Sequence, residues 1–255
     1  MNQLYNLEQT FRTVQEILQA NHFFKVYKEF EQEIGLYKKE LRNCQKDLPI
    51  YDMYARDPSV LWHLGIKDYF EIDITTGFEN ESYQLLWNIG KVKEYIAKQQ
   101  SQAQAIPVNF DQIHHKEDHL EENKLYRLSS LDSFNEPIIL ASIPAINKFI
   151  IIDGNHRFHI AKSQKHHSIK AIVLPLSVHI DFICFDSSKV CLKVHHNISL
   201  LLSLCLSPKK QPKSVNKNLG IHDYYPITGN ELKFSSLKNN LLSLRQKLSA
   251  IPLFS

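Results

Sequence analysis

The sequence lacks any apolar run as long as the roughly 20 residues that a membrane-spanning helix needs. The nearest candidate, ISLLLSLCL from Ile198 to Leu206, is about half that length and holds two serines, so it is expected in a buried strand or helix. The first residues, MNQLYNLEQTFRTVQEIL, lack a basic segment followed by an apolar one. No secretory signal is therefore expected, no membrane partner is predicted, and the predicted location is the cytoplasm.

Cysteine spacing and net charge argue against two further classes of protein. The chain has 255 residues and four cysteines without a CxxC spacing, which predicts reduced thiols rather than a disulfide framework: Cys44, Cys184, Cys191 and Cys205. The formal net charge is only +3, short of the strongly basic character of a dedicated nucleic-acid binder. DNA is therefore a possible but not a favoured partner. Hydrophobic residues make up 43%, which is enough for a packed core.

Residues 1–100 are predicted as a mainly helical N-terminal region. Apolar residues recur at intervals of three and four from Asn6 to Leu41, which is the period of an amphipathic helix. Two helices with a break near Asn21 and His22 fit this pattern. Two further helices are predicted, from Asp57 through Trp62 and from Ser82 to Lys98.

Residues 105–206 are predicted as an α/β core, because short apolar runs there alternate with helical segments. A helix is predicted from Arg157 to Gln164. The predicted strands are Ala105–Phe110, Pro137–Ala141, Lys148–Ile152, Ile169–Leu174 and the run HIDFICF beyond Pro175. Residues 207–255 contain a lysine-rich loop and a predicted basic amphipathic helix as a C-terminal extension. The fold class is thus α+β, a small mixed-sheet core with a helical N-terminal region and a C-terminal extension.

The segment FIIIDGNHRFHIAK concentrates polar residues directly after a buried strand. Gly154 permits a tight turn, and the free backbone N–H groups of a following helix favour an anion such as phosphate. Arg157 presents a planar fork of N–H groups that suits phosphate, and Asn155 can donate or accept through its amide. Asp153 can hold a metal ion or orient a hydroxyl, and His156 stands beside the helix start. A simpler interpretation is that Asp153 caps the helix while Arg157 pairs with a surface acid.

Histidines are frequent, and two of them invite a metal interpretation. His115 and His119 lie four residues apart and would share one helical face, as in many zinc sites. No glutamate completes an H-E-x-x-H arrangement, so surface positions are the simpler interpretation. His159 has two open interpretations, since it can lean over a ligand bound at the turn or pack within the fold.

The segment IIIDGNHRFHIAKSQKHHSIKAIVLP resembles the core motif of the ParB/sulfiredoxin-like superfamily, in which a strand, a G-x-H-R or G-x-R-R turn, a helix and a short strand follow one another. Upstream, IPVNFDQI, HHKEDHLEENKLYRLSSL and EPIILA resemble the opening strand, the first helical region and the proline-led strand of that family. The resemblance covers roughly Ile106 to Pro175, which is less than a third of the chain.

The branches of the superfamily differ around this turn. Sulfiredoxins carry a catalytic cysteine where this chain has Asn155, so sulfinic acid reduction is disfavoured. Neither a clear G-E-R-R turn nor a helix-turn-helix follows Pro175, which disfavours plasmid partitioning. Free serine kinases carry D-G-H-[TH]-R, which is similar to DGNHR. They also carry an upstream histidine–glutamate pair, for which this chain offers HHKED in a predicted helical, solvent-rich stretch.

The resemblance to the kinase branch implies ATP or a related nucleotide as ligand, with magnesium. It places the phosphates on the turn, with Asp153 as metal ligand and candidate catalytic residue, and Glu117 as the base that takes a proton from the substrate hydroxyl. Asp118 is close enough in sequence to replace Glu117. The residues implied in nucleotide binding are Gly154, Asn155, His156, Arg157 and, on one of its two interpretations, His159.

Two functions from different classes stay open. The first is a phosphotransferase or nucleotide hydrolase acting on a small hydroxyl-bearing substrate. The second is a nucleotide-gated module whose helical flanks bind a protein or DNA. A ParB-like nuclease is the third, but the sequence shows no obvious paired-carboxylate metal site for it. The helical flanks are candidates for a lid, a specificity wall or a homodimer interface.

Overall fold

The fold is described from a computed structural model that covers residues 7–22, 24–77, 81–99, 104–115 and 136–206. Its helices and its two sheets form an α+β fold, which confirms the predicted class. The chain divides into two compact units. The first comprises the described parts of Met1–Ala55, Asp73–Gln84 and Phe185–Ser255, and the second those of Arg56–Ile72 and Leu85–Cys184. The boundaries predicted near residues 100 and 206 stay a prediction.

The first unit is built mainly from helices. They are α1 (Glu8–Ala20), α2 (Phe24–Asn43), a 3-10 turn (Cys44–Asp47), α3 (Leu48–Arg56, whose last residue falls in the second unit) and the helix Asp186–Leu206. The predicted break between the first two helices is confirmed, since His22 there adopts a left-handed φ of 60°. The helical period predicted for the apolar residues is also confirmed, and six of them are buried: Phe11, Val14, Leu18, Phe30, Ile34 and Tyr37. The run ISLLLSLCL forms the end of the helix Asp186–Leu206, where Ile198 and Leu201 are buried.

The predicted single helix from Ser82 to Lys98 is wrong. Residues Ser82–Asn88 form strand β2, which pairs with β1 (Tyr69–Thr75), and only Ile89–Lys98 is helical, as α5. The change occurs at Asn88, whose side-chain oxygen accepts a 3.0 Å hydrogen bond from the Lys91 N–H and caps the helix. Strand β1 was not predicted, and the helix near Trp62, α4, is limited to Val60–His63.

The second unit contains a mixed five-stranded sheet with strand order β3-β7-β5-β6-β4. Antiparallel pairs (β3 with β7, β5 with β6) alternate with parallel ones (β7 with β5, β6 with β4). The strands are β3 (Ile106–Asn109), β4 (Ile113–His114), β5 (Ile138–Ile143), β6 (Lys148–Asp153) and β7 (Ser168–Leu174). The four strands predicted up to Leu174 thus exist, with ends shifted by at most two residues, whereas His114 ends a strand instead of belonging to a helix.

Helix α6 (Asn155–Ser163) connects β6 to β7 and confirms the predicted helix after the turn. Its Phe158 is fully buried and belongs to the core cluster of the sheet. The other buried members of that cluster are Val108, Ile113, Ile138, Leu140, Ile151 and Ala171. Burying an aromatic ring of this size fixes the helix on the sheet and therefore fixes the turn that precedes the helix.

The strand predicted over HIDFICF is wrong. Leu176–His179 is a short helix, α7, and Ile180–Phe182 is a 3-10 turn, so the helix Asp186–Leu206 is α8. His179 is fully buried: Trp87 Nε1 donates to its Nδ1 at 3.3 Å, and its Nε2 lies 2.9 Å from the Ser142 carbonyl. A strand would bury every second residue, whereas here both hydrogen bonds go to one inward-facing residue. This arrangement fits a helical turn.

Several sequence predictions fall on residues outside the described part of the chain. They concern Glu117, Asp118 and His119, together with the lysine-rich loop and the helix within residues 207–255. Among the described helices, none combines the length and the apolar character that crossing a bilayer requires.

Candidate functional site

The turn after β6 depends on Gly154. This residue has φ +92°, in the left-handed region that side chains rarely adopt. A Cβ at this position would lie 2.6 Å from Ile138 Cγ2 and 2.9 Å from an Arg157 guanidinium nitrogen. Only glycine therefore satisfies both the backbone conformation and the available space. The strand thus ends at Asp153 and the helix starts at Asn155 with no intervening loop.

Arg157 folds back along the first turn of α6 toward the end of the strand. Its Nη2 donates to Asp153 Oδ2 at 3.0 Å, and its Nη1 donates to Glu136 Oε2 at 3.2 Å. The Arg157 side chain is 14% exposed, whereas that of Glu136 is 72% exposed. The pair with Asp153 is therefore the sheltered one, and the contact with Glu136 is held at the surface where water competes for it.

A second cation reaches Asp153 from helix α5. Lys93 Nζ lies 3.3 Å from Asp153 Oδ1 and 3.0 Å from Asp68 Oδ2. Partial burial by itself would lower the pKa of Lys93, but the hydrogen bond to Asp68 and the charges of both carboxylates outweigh it and raise that pKa. Lys93 therefore stays protonated at neutral pH.

A cleft opens in front of the turn, with one apolar and one polar wall. The apolar wall comprises Tyr69, Phe70, Ile89, Ile151 and Ile152, and the polar wall comprises Asp68, Asp153, Gly154, Asn155 and His156. The Asn155 Oδ1 is buried and accepts no hydrogen bond within the described ranges. A buried amide oxygen of this kind is normally satisfied by a partner, so this atom requires a donor that the described residues do not supply.

The turn residues predicted from the sequence come together at this cleft. Asp153, Gly154, Asn155 and His156 line it directly, and Arg157 contacts Asp153. His159 is placed differently, because its ring packs at 5.6 Å from the ring of His115 and at 5.5 Å from that of Phe158. Of its two interpretations, this position matches packing within the fold.

A metal site is not preformed in the described part of the chain, where no group of three or more His, Cys, Asp or Glu side chains is arranged to hold an ion. Asp153, the predicted metal ligand, has one oxygen paired with Lys93 and the other with Arg157. A magnesium ion at Asp153 would therefore share the carboxylate with these cations or displace one of them, and the remaining ligands would come from phosphate oxygens and water.

Sequence reasoning missed the residues of the site that lie outside the turn. Asp68, Tyr69 and Phe70 belong to the start of β1 and the residue before it, and Lys93 lies on α5. Neither segment carries a motif, and both lie outside the region that resembles a known family. Only the alternation of apolar and acidic residues in YFEIDIT signals the strand.

Comparisons with known proteins add little to this geometry. Neither a protein-family model nor a curated protein sequence matches the chain. Among solved structures, a free serine kinase in complex with AMP is similar over 28% of this chain, with 18% identity and a TM-score of 0.25. The match spans 31% of that kinase chain, so most of either protein is outside it. A likeness of this size carries no argument about function.

Proposed function

We propose that this protein has a ParB/sulfiredoxin-like core and binds ATP or a related nucleotide through the turn from Asp153 to Arg157. We further propose that it acts as a magnesium-dependent phosphotransferase or nucleotide hydrolase on a small hydroxyl-bearing substrate. The observation that carries the proposal is the start of α6, where a glycine-dependent turn, an amide and a histidine line one cleft and an arginine pairs with the aspartate beside them.

The start of α6 supports anion binding. Its cap residue, Gly154, offers no side-chain acceptor, and no side-chain cap satisfies the first N–H groups of the helix within the described residues. Such N–H groups, together with the positive end of the helix dipole, favour a phosphate. The Arg157 guanidinium lies next to these N–H groups. Its ion pair with the exposed Glu136 can open, which would make the guanidinium available to a phosphate.

The cleft also suits the remainder of a nucleotide. Tyr69, Phe70 and Ile89 give it an apolar wall next to the polar turn, the combination expected where one end of a ligand is aromatic and the other is charged. Asn155, His156 and Arg157 would hold the phosphates, and Asp153 would contribute to holding magnesium. Magnesium would supply charge neutralisation on the phosphates, which phosphoryl transfer requires.

The base for the acceptor hydroxyl is proposed from the sequence resemblance alone. Glu117 is that residue, with Asp118 as its neighbour, and both lie outside the described part of the chain. A carboxylate within reach of the hydroxyl would take its proton as the oxygen attacks the terminal phosphorus. Asp153 is less suited to this role, because its two oxygens are engaged by Lys93 and Arg157.

Calorimetric titration with ATP, CTP, GTP and ADP, each with and without magnesium, tests the binding proposal. We expect micromolar affinity for at least one of them and a loss of at least about tenfold in Arg157→Ala, corresponding to one or more charge-assisted hydrogen bonds. Arg56→Ala is the matched control, because Arg56 is exposed and lies outside the cleft. A wild-type protein that binds none of these nucleotides would overturn the proposal.

Turnover separates the enzyme from the nucleotide-gated module. Glu117→Gln is expected to keep nucleotide affinity and to lose phosphoryl transfer or hydrolysis, measured as ADP formation in the presence of a panel of small hydroxyl compounds. Binding without ADP formation in the wild type would reject the enzyme and favour the module.

A further inference from the structure

Helix α5 brings a cation to the cleft that the sequence pattern does not indicate. Lys93 Nζ lies between two cleft residues, 3.0 Å from Asp68 Oδ2 and 3.3 Å from Asp153 Oδ1. Asp153 directly precedes the turn, so the ammonium group stands at the edge of the phosphate-binding residues. The helix that carries it is held locally, since Asn88 caps its first turn and Ile89 and Val92 are buried.

The ammonium group retains capacity for a ligand. It has three N–H donors, and Asp68 and Asp153 engage two of them. Its side chain is 48% exposed, so a ligand in the cleft can reach it without a rearrangement of the core.

We propose that Lys93 is a second phosphate-binding cation of the cleft, which exchanges one of its carboxylate partners for a nucleotide phosphate oxygen. This inference rests on the proposed function, because it concerns the same ligand. It names a residue on a helix outside the segment that resembles a known family, and it assigns the site two cations from different parts of the chain, Lys93 and Arg157.

The charges around the cleft make each cation important. Three carboxylates (Asp68, Asp153 and Glu136) and two cations (Lys93 and Arg157) form one connected set of ion pairs. The carboxylates are in excess, so losing either cation would leave a more negative site that repels phosphate. The same excess favours a nucleotide that arrives with magnesium over a bare phosphate, since the metal ion brings compensating charge.

Two substitutions break the same ion pair but change the charge in opposite directions, and this makes the test specific. Lys93→Met removes the positive partner. Asp68→Asn removes the negative one and leaves Lys93 paired with Asp153 alone. If Lys93 binds phosphate, we expect about tenfold weaker ATP–magnesium binding in Lys93→Met and equal or tighter binding in Asp68→Asn. Lys93→Arg keeps the charge and is expected to retain most of the affinity, while Lys91→Met, on the same helix and not in the cleft lining, is expected to match the wild type.

Calorimetric titration of these four variants and Arg157→Ala with ATP and magnesium, at low and at physiological salt, gives the answer. The loss in Lys93→Met is expected to shrink as salt rises, because screening weakens charge–charge interactions near solvent. Equal weakening in Lys93→Met and Asp68→Asn would show that only the ion pair matters and would overturn the inference. Unchanged affinity in Lys93→Met alongside a loss in Arg157→Ala would also overturn it and leave the proposed function intact, whereas no binding by the wild type would remove both.

Discussion

The two units each contain a polar cluster, and the two clusters differ in charge and exposure. In the first unit, the Tyr83 hydroxyl lies 3.0 Å from His195 Nδ1, and both residues are 2% exposed. In the second, Asp153 pairs with Lys93 and Arg157, and the three side chains are 14–48% exposed. A buried neutral cluster offers no route to a ligand and fixes the packing around it. An open, charged cluster can exchange partners, so it is the one suited to binding.

In the same unit, helix α1 is capped by a residue that is distant from it in the sequence. The N-terminus of α1 has no cap from its own cap residue, Leu7. Glu81 provides it instead, accepting hydrogen bonds at 2.7 Å from the N–H groups of Gln9 and Thr10. The Thr10 hydroxyl donates to the same carboxylate and lies 3.1 Å from that of Thr76. The Glu81 carboxylate thus stabilises a helix end, whereas the carboxylates that pair with Lys93 line the cleft.

Lowering the pH is expected to have the largest effect on stability, because it protonates buried histidines. Burial lowers the pKa of both His195 and His179 from 6.5 to about 4. Between these values the unfolded chain binds more protons than the folded one, so the free energy of unfolding falls as the pH drops from 6.5 to 4. The expected loss is roughly 3 kcal/mol for each histidine. Urea unfolding across this pH range measures it.

The pH dependence separates the buried histidines from an exposed one. His195→Gln and His179→Gln are each expected to lower stability at neutral pH and to flatten the decline below pH 6.5. His63→Gln, at an exposed position on α4, is expected to keep the wild-type decline. If neither buried substitution changed the decline in stability below pH 6.5, the lowered pKa values of His195 and His179 would be contradicted.

Gly154→Ala is expected to have the next largest effect, because it disrupts the turn that carries the open cluster. The left-handed backbone and the contact with Ile138 together predict a loss of about 2–4 kcal/mol. Gly65→Ala is the matched control: its φ is +78°, but a Cβ there would meet nothing within 4 Å. We expect it to cost only the backbone strain, about 1 kcal/mol. Urea midpoints compare the two, and equal losses would mean that the space at Gly154 is not restrictive.

Glu81→Gln is expected to have the smallest effect, about 1–2 kcal/mol, because it weakens the cap of α1 without removing an apolar contact. Glu8→Gln, in the exposed pair with Lys38, is expected to cost well under 1 kcal/mol. Thermal unfolding of the two variants side by side measures the difference. A larger loss in Glu8→Gln would contradict the role assigned to Glu81.

The sequence is informative where structure is local. The strand before Asp153, the turn and the helix after it form one continuous segment, and the apolar pattern and Gly154 suffice to predict it. The break at His22 is likewise local. The predicted helix over Ser82–Lys98 failed because its apolar residues fit a strand in the first half, and the change of structure depends on the cap at Asn88.

The other half of the cleft could not be predicted, because its residues meet only in the folded chain. No spacing links Asp68 and Lys93 with Asp153, although Lys93 pairs with both carboxylates. The cap that Glu81 places on α1 has the same origin. The largely apolar run HIDFICF predicts a strand at His179, whereas two specific hydrogen bonds hold this residue in a helical turn.

The position of Lys93 on α5 has a consequence for the folding pathway. The turn at Gly154 closes between neighbouring residues, whereas the contact between Lys93 and Asp153 requires the closure of a long loop, which is entropically costly and slow. During refolding the turn at Gly154 is therefore expected to form before the cleft is complete. If the cleft binds a nucleotide as proposed, full affinity would then appear only at the last folding step of each molecule. The rate at which nucleotide binding appears would therefore measure the completion of folding.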